Sequence, residues 1–188
     1  LRRQRQMCIR DRKDIPLTVA CIDMDWHWVD VEKRFGEKVK DYPKPKNPIA
    51  NLTGCFWNPG WTGYSWNTEL FPNHIAFLKT LHEKGLRTNL NVHPAQGVRF
   101  FEDMYPDFAR HMGINETSKE PIRFDFTDKN FVEGYFKFIN RPMENEGVDF
   151  WWIDWQQGSK SKIDGLDPLW LLNHYYCLDR QSKGCLLY

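Results

Sequence analysis

The sequence predicts an α/β fold built on a parallel sheet, and three observations carry the prediction. Short apolar runs recur at Leu17–Met24, Leu86–Val92, Ile122–Phe126 and again from Val148. Segments of helical period separate them, and no hairpin signal joins neighbouring runs, which is the pattern of βαβ units. The 188 residues are 41% hydrophobic and 27% charged, enough for one core and unlike disorder, collagen or a disulfide scaffold.

Each element has a local reason. "LTVACIDM", Leu17–Met24, is apolar and β-branched, so it reads as a strand buried on both faces. From about Val29 to Glu69 the chain makes a long connection containing "YPKPKNP" and "NPGWTGYSW", whose Pro, Gly and Asn predict turns and a small hairpin. Connections this long in a compact domain are usually functional. Pro72–Lys84 places Ile75, Leu78 and Leu81 on one helical face, with Pro72 in the first turn and Gly85 to end it. "LRTNLNV", Leu86–Val92, is the second strand, stopped by His93-Pro94. A helix over Arg99–Met112 follows, then a brief strand, Ile122–Phe126. Asp128 caps a helix that runs to Asn145 with a bend at Pro142, and Gly147 closes it. "VDFWWIDWQQG" begins the next strand, and a last helix covers Asp167–Asp179 with Pro168 in its first turn.

Composition excludes several functions. Lys and Arg number 26 against 25 Asp and Glu, so the electrostatic footprint of a nucleic-acid binder is missing. The chain has no apolar run near the ~20 residues of a membrane span, and its arginine-rich start lacks the apolar core of a signal peptide. Cys8, Cys21, Cys55, Cys177 and Cys185 are odd in number and form no CxxC pair, which fits reduced thiols rather than a disulfide framework or zinc site. Asn51 and Asn115 head glycosylation acceptor patterns, which matter only in a secreted protein. Aromatic content is the discriminating figure. Eight of nine tryptophans fall in three clusters, Trp26 and Trp28, then Trp57, Trp61 and Trp66, then Trp151, Trp152 and Trp155. One indole is ordinarily core, but clusters beside polar residues suit the face of a sugar.

A parallel α/β sheet places its sites at the carboxyl ends of its strands. Those ends carry Asp23, Asp25, Trp26 and His27, then Asn91, His93 and Gln96, then Asp154, Trp155, Gln156 and Gln157. One acid at a strand end is ordinarily a cap or a solvated loop residue, and His27 and His93 each have a plain reading as a hydrogen-bonded ring at a loop base. Three converging polar-aromatic ends instead predict a pocket for a polyhydroxylated ligand. Asp23, Asp25 and His27 alternate and so would share one side of the strand, where two acids push each other's pKa values apart unless a proton, a metal or ligand hydroxyls intervene. A divalent ion held by Asp23, Asp25, His27 and His93 is the metal-hydrolase alternative, ranked below the sugar pocket because the spacing fits no specific metal motif. Asp154, fixed between Trp152 and Trp155, has the setting of a nucleophile that attacks a sugar carbon. Retaining glycosidases pair two carboxyl groups ~5 Å apart; spacing does not choose the partner, and Asp23 and Asp25 are the visible candidates.

"CIDMDWHW", "GWTGYSWNTELFPNHIAFLKTLHEKGLRTNLNVHPAQG" and "GVDFWWIDWQQG", in this order and at these distances, resemble the catalytic barrel of glycoside hydrolase family 31, the retaining α-glycosidases. The resemblance covers about Ile15 to Asp179. It implies a partial (β/α)8 TIM barrel with a long loop inserted after its first strand, and a retaining, α-glucosidase-like hydrolysis of O-glycosyl bonds without metal or organic cofactor. Asp154 falls on the nucleophile, Asp23 on an acid that holds sugar hydroxyls, Trp152 on the aromatic preceding the nucleophile and Trp155 on the residue after it. Asp25, Trp26, His27, His93 and Gln157 complete the expected substrate-binding set. The family's acid/base is an aspartate of a later strand, expected beyond the end of this chain, which recasts Asp23 and Asp25 as substrate holders rather than proton donors. Trp155-Gln156-Gln157 stands where many members have M-N-E, so the pocket floor differs. Leu1–Arg12 and Lys183–Tyr188 resemble translated sequencing adapter and are expected to be non-native, leaving 13–182 as the partial barrel. A half barrel has open edges and is expected to be inactive alone. A non-catalytic sugar-binding barrel is the remaining alternative, distinguished by loss of the acid/base.

Overall fold

The computed structural model describes residues 16–36, 61–154 and 160–184. Three strands form one parallel sheet in the order β1 (Val19–Ile22), β2 (Arg87–Val92), β3 (Phe150–Ile153). Ile22 lies opposite Leu90 and Leu90 opposite Trp151, so these side chains share a face. That face, with Val92, meets Leu78, Leu81, Phe131, Tyr135 and Leu172 in the core. Each fully buried aliphatic residue there contributes about 1.5–3 kcal/mol. The opposite face carries Cys21, then Asn89 and Asn91, then Phe150 and Trp152. It is the inner face of an unclosed α/β barrel, and it explains a correction to the first strand. Val19 and Cys21 are exposed because they point to this inner side, so β1 is covered on its helix face only.

Helices fill the connections. α1 (Val31–Phe35) and α2 (His74–Glu83) lie between β1 and β2, and α3 (Tyr105–His111), α4 (Lys129–Tyr135) and α5 (Arg141–Glu146) between β2 and β3. α6 (Pro168–Ser182) follows β3. Asn73, Asp128 and Asp167 cap α2, α4 and α6 through side-chain oxygens, each satisfying a free N–H of a first turn. α3 is shorter than expected because Arg99 and Glu102 are buried in turns before it, while Pro106 starts the helix proper. The bend expected at Pro142 is a π-helical segment, Phe136–Asn140, where the Arg141 N–H reaches back to the Phe136 carbonyl. Proline supplies no N–H to the ladder, and one wide turn absorbs the break.

Ile122–Phe126 is not a strand of the sheet, contrary to the sequence expectation. Ile122 makes one antiparallel bridge to Val98, with N–H to carbonyl distances of 2.8 Å both ways. Phe126 packs edge-on to Phe131 and Tyr135, so apolarity that reads as a strand serves an aromatic core instead. Gly97 makes the bridge possible: its φ is +66°, and a Cβ there would lie 2.0 Å from the Ile122 carbonyl oxygen.

At the amino ends of β2 and β3, Asp149 ties the sheet together. Its carboxylate accepts from Arg87 Nη1 at 2.8 Å and the Thr88 N–H at 2.8 Å, and His82 Nε2 lies 2.8 Å away. This end of the sheet serves stability and leaves the other end for chemistry, as in barrels generally.

Candidate active site

The carboxyl ends of β1, β2 and β3 sit side by side because the strands are parallel and in register. Beyond β3 the ladder continues one step, with the Asp154 N–H donating to the Val92 carbonyl at 3.1 Å. This fixes the Asp154 backbone while its side chain stays 26% exposed. Two buried side chains of β2 and its end reach the same carboxylate oxygen. Asn91 Nδ2 donates to Asp154 Oδ2 at 3.2 Å, and His93 Nε2 lies 3.4 Å from it. Trp152, paired with Asn91 across the strands, shares their face and leaves 41% of its surface open.

The end of β1 behaves differently from its sequence pattern. The strand stops at Ile22, and Met24–Trp26 form a 3-10 turn capped by Asp23, whose Oδ1 accepts from the Met24 N–H at 2.7 Å. Period-two alternation therefore ends, and Asp23, Asp25 and His27 do not share one side as expected. Asp23 and Asp25 are exposed, whereas Trp26 and His27 are wholly buried. The Trp26 indole donates to the Asn91 carbonyl at 2.7 Å, serving a backbone acceptor where the ladder to β1 has run out. Trp26 and His27 thus lie beneath the polar surface. Among the described residues no three His, Cys, Asp or Glu side chains gather as a metal site. Asp23 remains close enough to His93 to favour its protonation. Trp155, Gln156 and Gln157 lie outside the described residues, as do Cys8, Cys55, Cys185, Asn51, Trp57 and the segment 1–12.

Residues 61–67, the return of the long connection after β1, form a wall that the sequence did not place. Thr62 Oγ1 donates to the His93 carbonyl, and the half-buried Trp61 ring meets the His93 ring edge-on at 5.2 Å. Gly63 packs against the His27 ring so closely that a Cβ would lie 2.3 Å from Nδ1. The Trp28 N–H donates to the Ser65 carbonyl at 3.3 Å, and the Asn67 N–H to the Trp26 carbonyl at 2.8 Å. Glu102, wholly inside, accepts from the Tyr64 N–H at 3.1 Å and Ser65 Oγ at 2.6 Å. Trp66 stacks on His74 at 4.5 Å. The clue in the sequence was the cluster of Trp, Tyr, Ser and Thr in "GWTGYSWN", but its partners are distant in the chain.

Electrostatics follow from burial. Desolvation holds His27 down to about 3, and the neighbouring His93 and Arg99 add to the lowering while the Trp28 backbone opposes it. Burial also lowers His93, against the pull of Asp154 and Asp23, so both imidazoles are neutral at pH 7. Burial raises Glu102, although Ser65, the Tyr64 N–H and Arg99 counter it. The site is therefore a carboxylate at a strand end, a neutral imidazole and an amide beside it, and an exposed indole on the same face. The Glycosyl hydrolases family 31 TIM-barrel domain matches residues 7–174.

The chain belongs to glycoside hydrolase family 31. Its parallel sheet and helices are accordingly part of a family 31 TIM barrel. Curated protein sequences give no match. Among solved structures, a GH31 alpha-xylosidase from a soil metagenome, complexed with xylose, is similar at 15% identity and a TM-score of 0.49. The similarity covers 89% of this chain and 22% of that one, so the chain spans about a fifth of that protein's length. Family 31 membership rests on the domain match, which covers most of the chain.

Proposed function

We propose that this chain carries the nucleophile half of a retaining α-glycosidase active site, with Asp154 as the nucleophile. The observation that supports it best is the Asp154 carboxylate at a strand end, its backbone fixed by Val92 and its Oδ2 approached by Asn91 and His93. Such a group is preorganised for attack. In the first step a carboxylate oxygen bonds to the anomeric carbon, the bond from that carbon to the departing oxygen breaks, and the departing oxygen takes a proton from the acid/base. Water then attacks the same carbon, gives its proton to that acid/base and releases Asp154. The acid/base is assigned to a later strand of the longer protein.

Substrate binding is assigned to the surface around Asp154. Trp152 offers an exposed ring to a sugar face. Asp23 uses one oxygen to cap its turn and has a second for a hydroxyl. Asp25, His93, Trp155 and Gln157 complete the contacts, and Trp26 with His27 support them from below. Trp155 and Gln157, next to the nucleophile in sequence, are the positions proposed to select the sugar.

The test is expression of the complete reading frame that holds this chain, assayed on aryl α-glucosides, α-xylosides, α-galactosides and N-acetyl-α-glycosides. Asp154→Ala is expected to lose more than about 1,000-fold in kcat, the usual scale for removal of a covalent nucleophile. Wild-type turnover in that variant would sink the assignment. Activity that disappears on chelation and returns with a divalent ion would favour the metal-hydrolase reading instead.

A further inference from the structure

Three successive inward positions of β2 and its end hold Asn89, Asn91 and His93, all buried. A strand of a parallel sheet is ordinarily apolar throughout, and a buried amide is unfavourable by about 2–7 kcal/mol unless it is hydrogen-bonded. Asn91, with no exposed surface, is the most deeply placed of the three. Its carbonyl Oδ1 has no hydrogen-bond partner among the described residues, so the contact of the side chain with Asp154 Oδ2 at 3.2 Å sets its orientation. A carboxylate only accepts, which fixes the NH2 end toward Asp154. The backbone behind the amide is held as well, because the Asn91 carbonyl takes the Trp26 indole N–H at 2.7 Å. His93, two residues on, brings Nε2 to 3.4 Å from the same Oδ2.

We propose that Asn91 is a positioning residue which, together with His93, grips one oxygen of the Asp154 carboxylate and fixes the direction in which that carboxylate meets the sugar. The inference rests on the reading of Asp154 as nucleophile. Asn91 itself lies under the carboxylate and touches no substrate. Its effect is therefore confined to the steps in which Asp154 forms and breaks its bond, and sugar binding is left largely intact. A displacement of about 1 Å in a reacting group slows a reaction by about 100-fold, and release of Asp154 from the amide permits a shift of that order.

The complete protein is compared with its Asn91→Leu and Asn91→Ser variants, using whichever aryl α-glycoside the wild type cleaves. A 5-fluoroglycosyl fluoride of the same sugar traps the covalent intermediate, and mass spectrometry counts and locates the label. Expected is a fall of about 10–100-fold in kcat and in the trapping rate, with KM changed less than about three-fold and Asp154 labelled in every variant. A filler role predicts another result: a lower melting temperature with kcat per labelled site within two-fold of wild type, and that result overturns the inference. If neither variant folds, Asn91 belongs to the scaffold and the inference is likewise overturned. A wild-type label on a residue other than Asp154 sinks the underlying nucleophile assignment instead, which separates the two failures.

Discussion

Replacing Gly63 by alanine tests how the wall over the site is built. The added Cβ would lie 2.3 Å from His27 Nδ1, 2.8 Å from its Cγ and 2.9 Å from its Cε1, whereas ordinary contact begins near 3.4 Å. His27 cannot yield, because it is wholly buried, meets Trp26 edge-on at 5.1 Å and bridges Trp66 through its backbone. The 61–67 segment must therefore retreat by about 1 Å, on the scale of core overpacking, which destabilises by about 1–3 kcal/mol. A retreat of that size takes the Tyr64 N–H, now 3.1 Å from Glu102, out of hydrogen-bond range. A buried N–H left without its acceptor adds about 1–3 kcal/mol. Together the expected loss is about 2–6 kcal/mol, read from urea unfolding of the complete protein. A loss under about 0.5 kcal/mol, the range of an ordinary surface change, would refute the reasoning. A double-mutant cycle with His27→Ala sharpens the test: removing the ring makes room, so the paired substitution should be less destabilising than the two single ones summed.

Three further outcomes are expected. His27 is neutral in the folded protein because its pKa is held at about 3, while the unfolded chain takes up a proton below its ordinary 6.5. Its contribution to stability therefore falls as pH drops from about 6.5 toward 3, by up to about 1.4 kcal/mol per pH unit. His27→Gln should flatten that slope between pH 6.5 and 4.5 in urea titrations, and an unchanged slope would count against it. Burial raises the Asp149 carboxyl, but the Thr88 N–H, Arg87 and His82 outweigh it and hold the group below its ordinary 3.8. Its stabilisation is present above that value and lost as pH falls through the folded pKa, so Asp149→Asn should destabilise by about 1.5–3 kcal/mol at pH 7 and by progressively less near pH 3. Trp152→Ala should raise KM by roughly ten-fold, equivalent to about 1.4 kcal/mol of ring contact, with little change in thermal midpoint because the indole is exposed; a KM unchanged across the sugar panel would remove Trp152 from the pocket.

The short apolar and β-branched runs made β1, β2 and β3 legible, and Asp128 as a cap and Pro168 in a first turn marked their helices. Ile122–Phe126 misled because apolarity and shortness fit an aromatic core as well as a strand; only the Gly97 approach to Ile122 distinguishes them, and that contact is invisible in one dimension. The site divides in the same way. Asp154, His93 and Trp152 were readable as residues at strand ends on one inner face. Asp23, Asp25 and His27 do not share one side because the two-residue period does not carry past Ile22 into the 3-10 turn. Asn91 was visible at its strand end, yet its reach to Asp154 depends on the β2–β3 register, which no local pattern encodes. The wall of residues 61–67 needed partners 30 or more positions away.

Those same fastenings make the return of the long connection a fixed dock rather than a trailing end. Thr62, Tyr64, Ser65 and Asn67 are each bonded to residues of the barrel or its end turns. A substitution in this short return is accordingly felt at the end of β2 and in the turns beside it, because the other half of each fastening lies there.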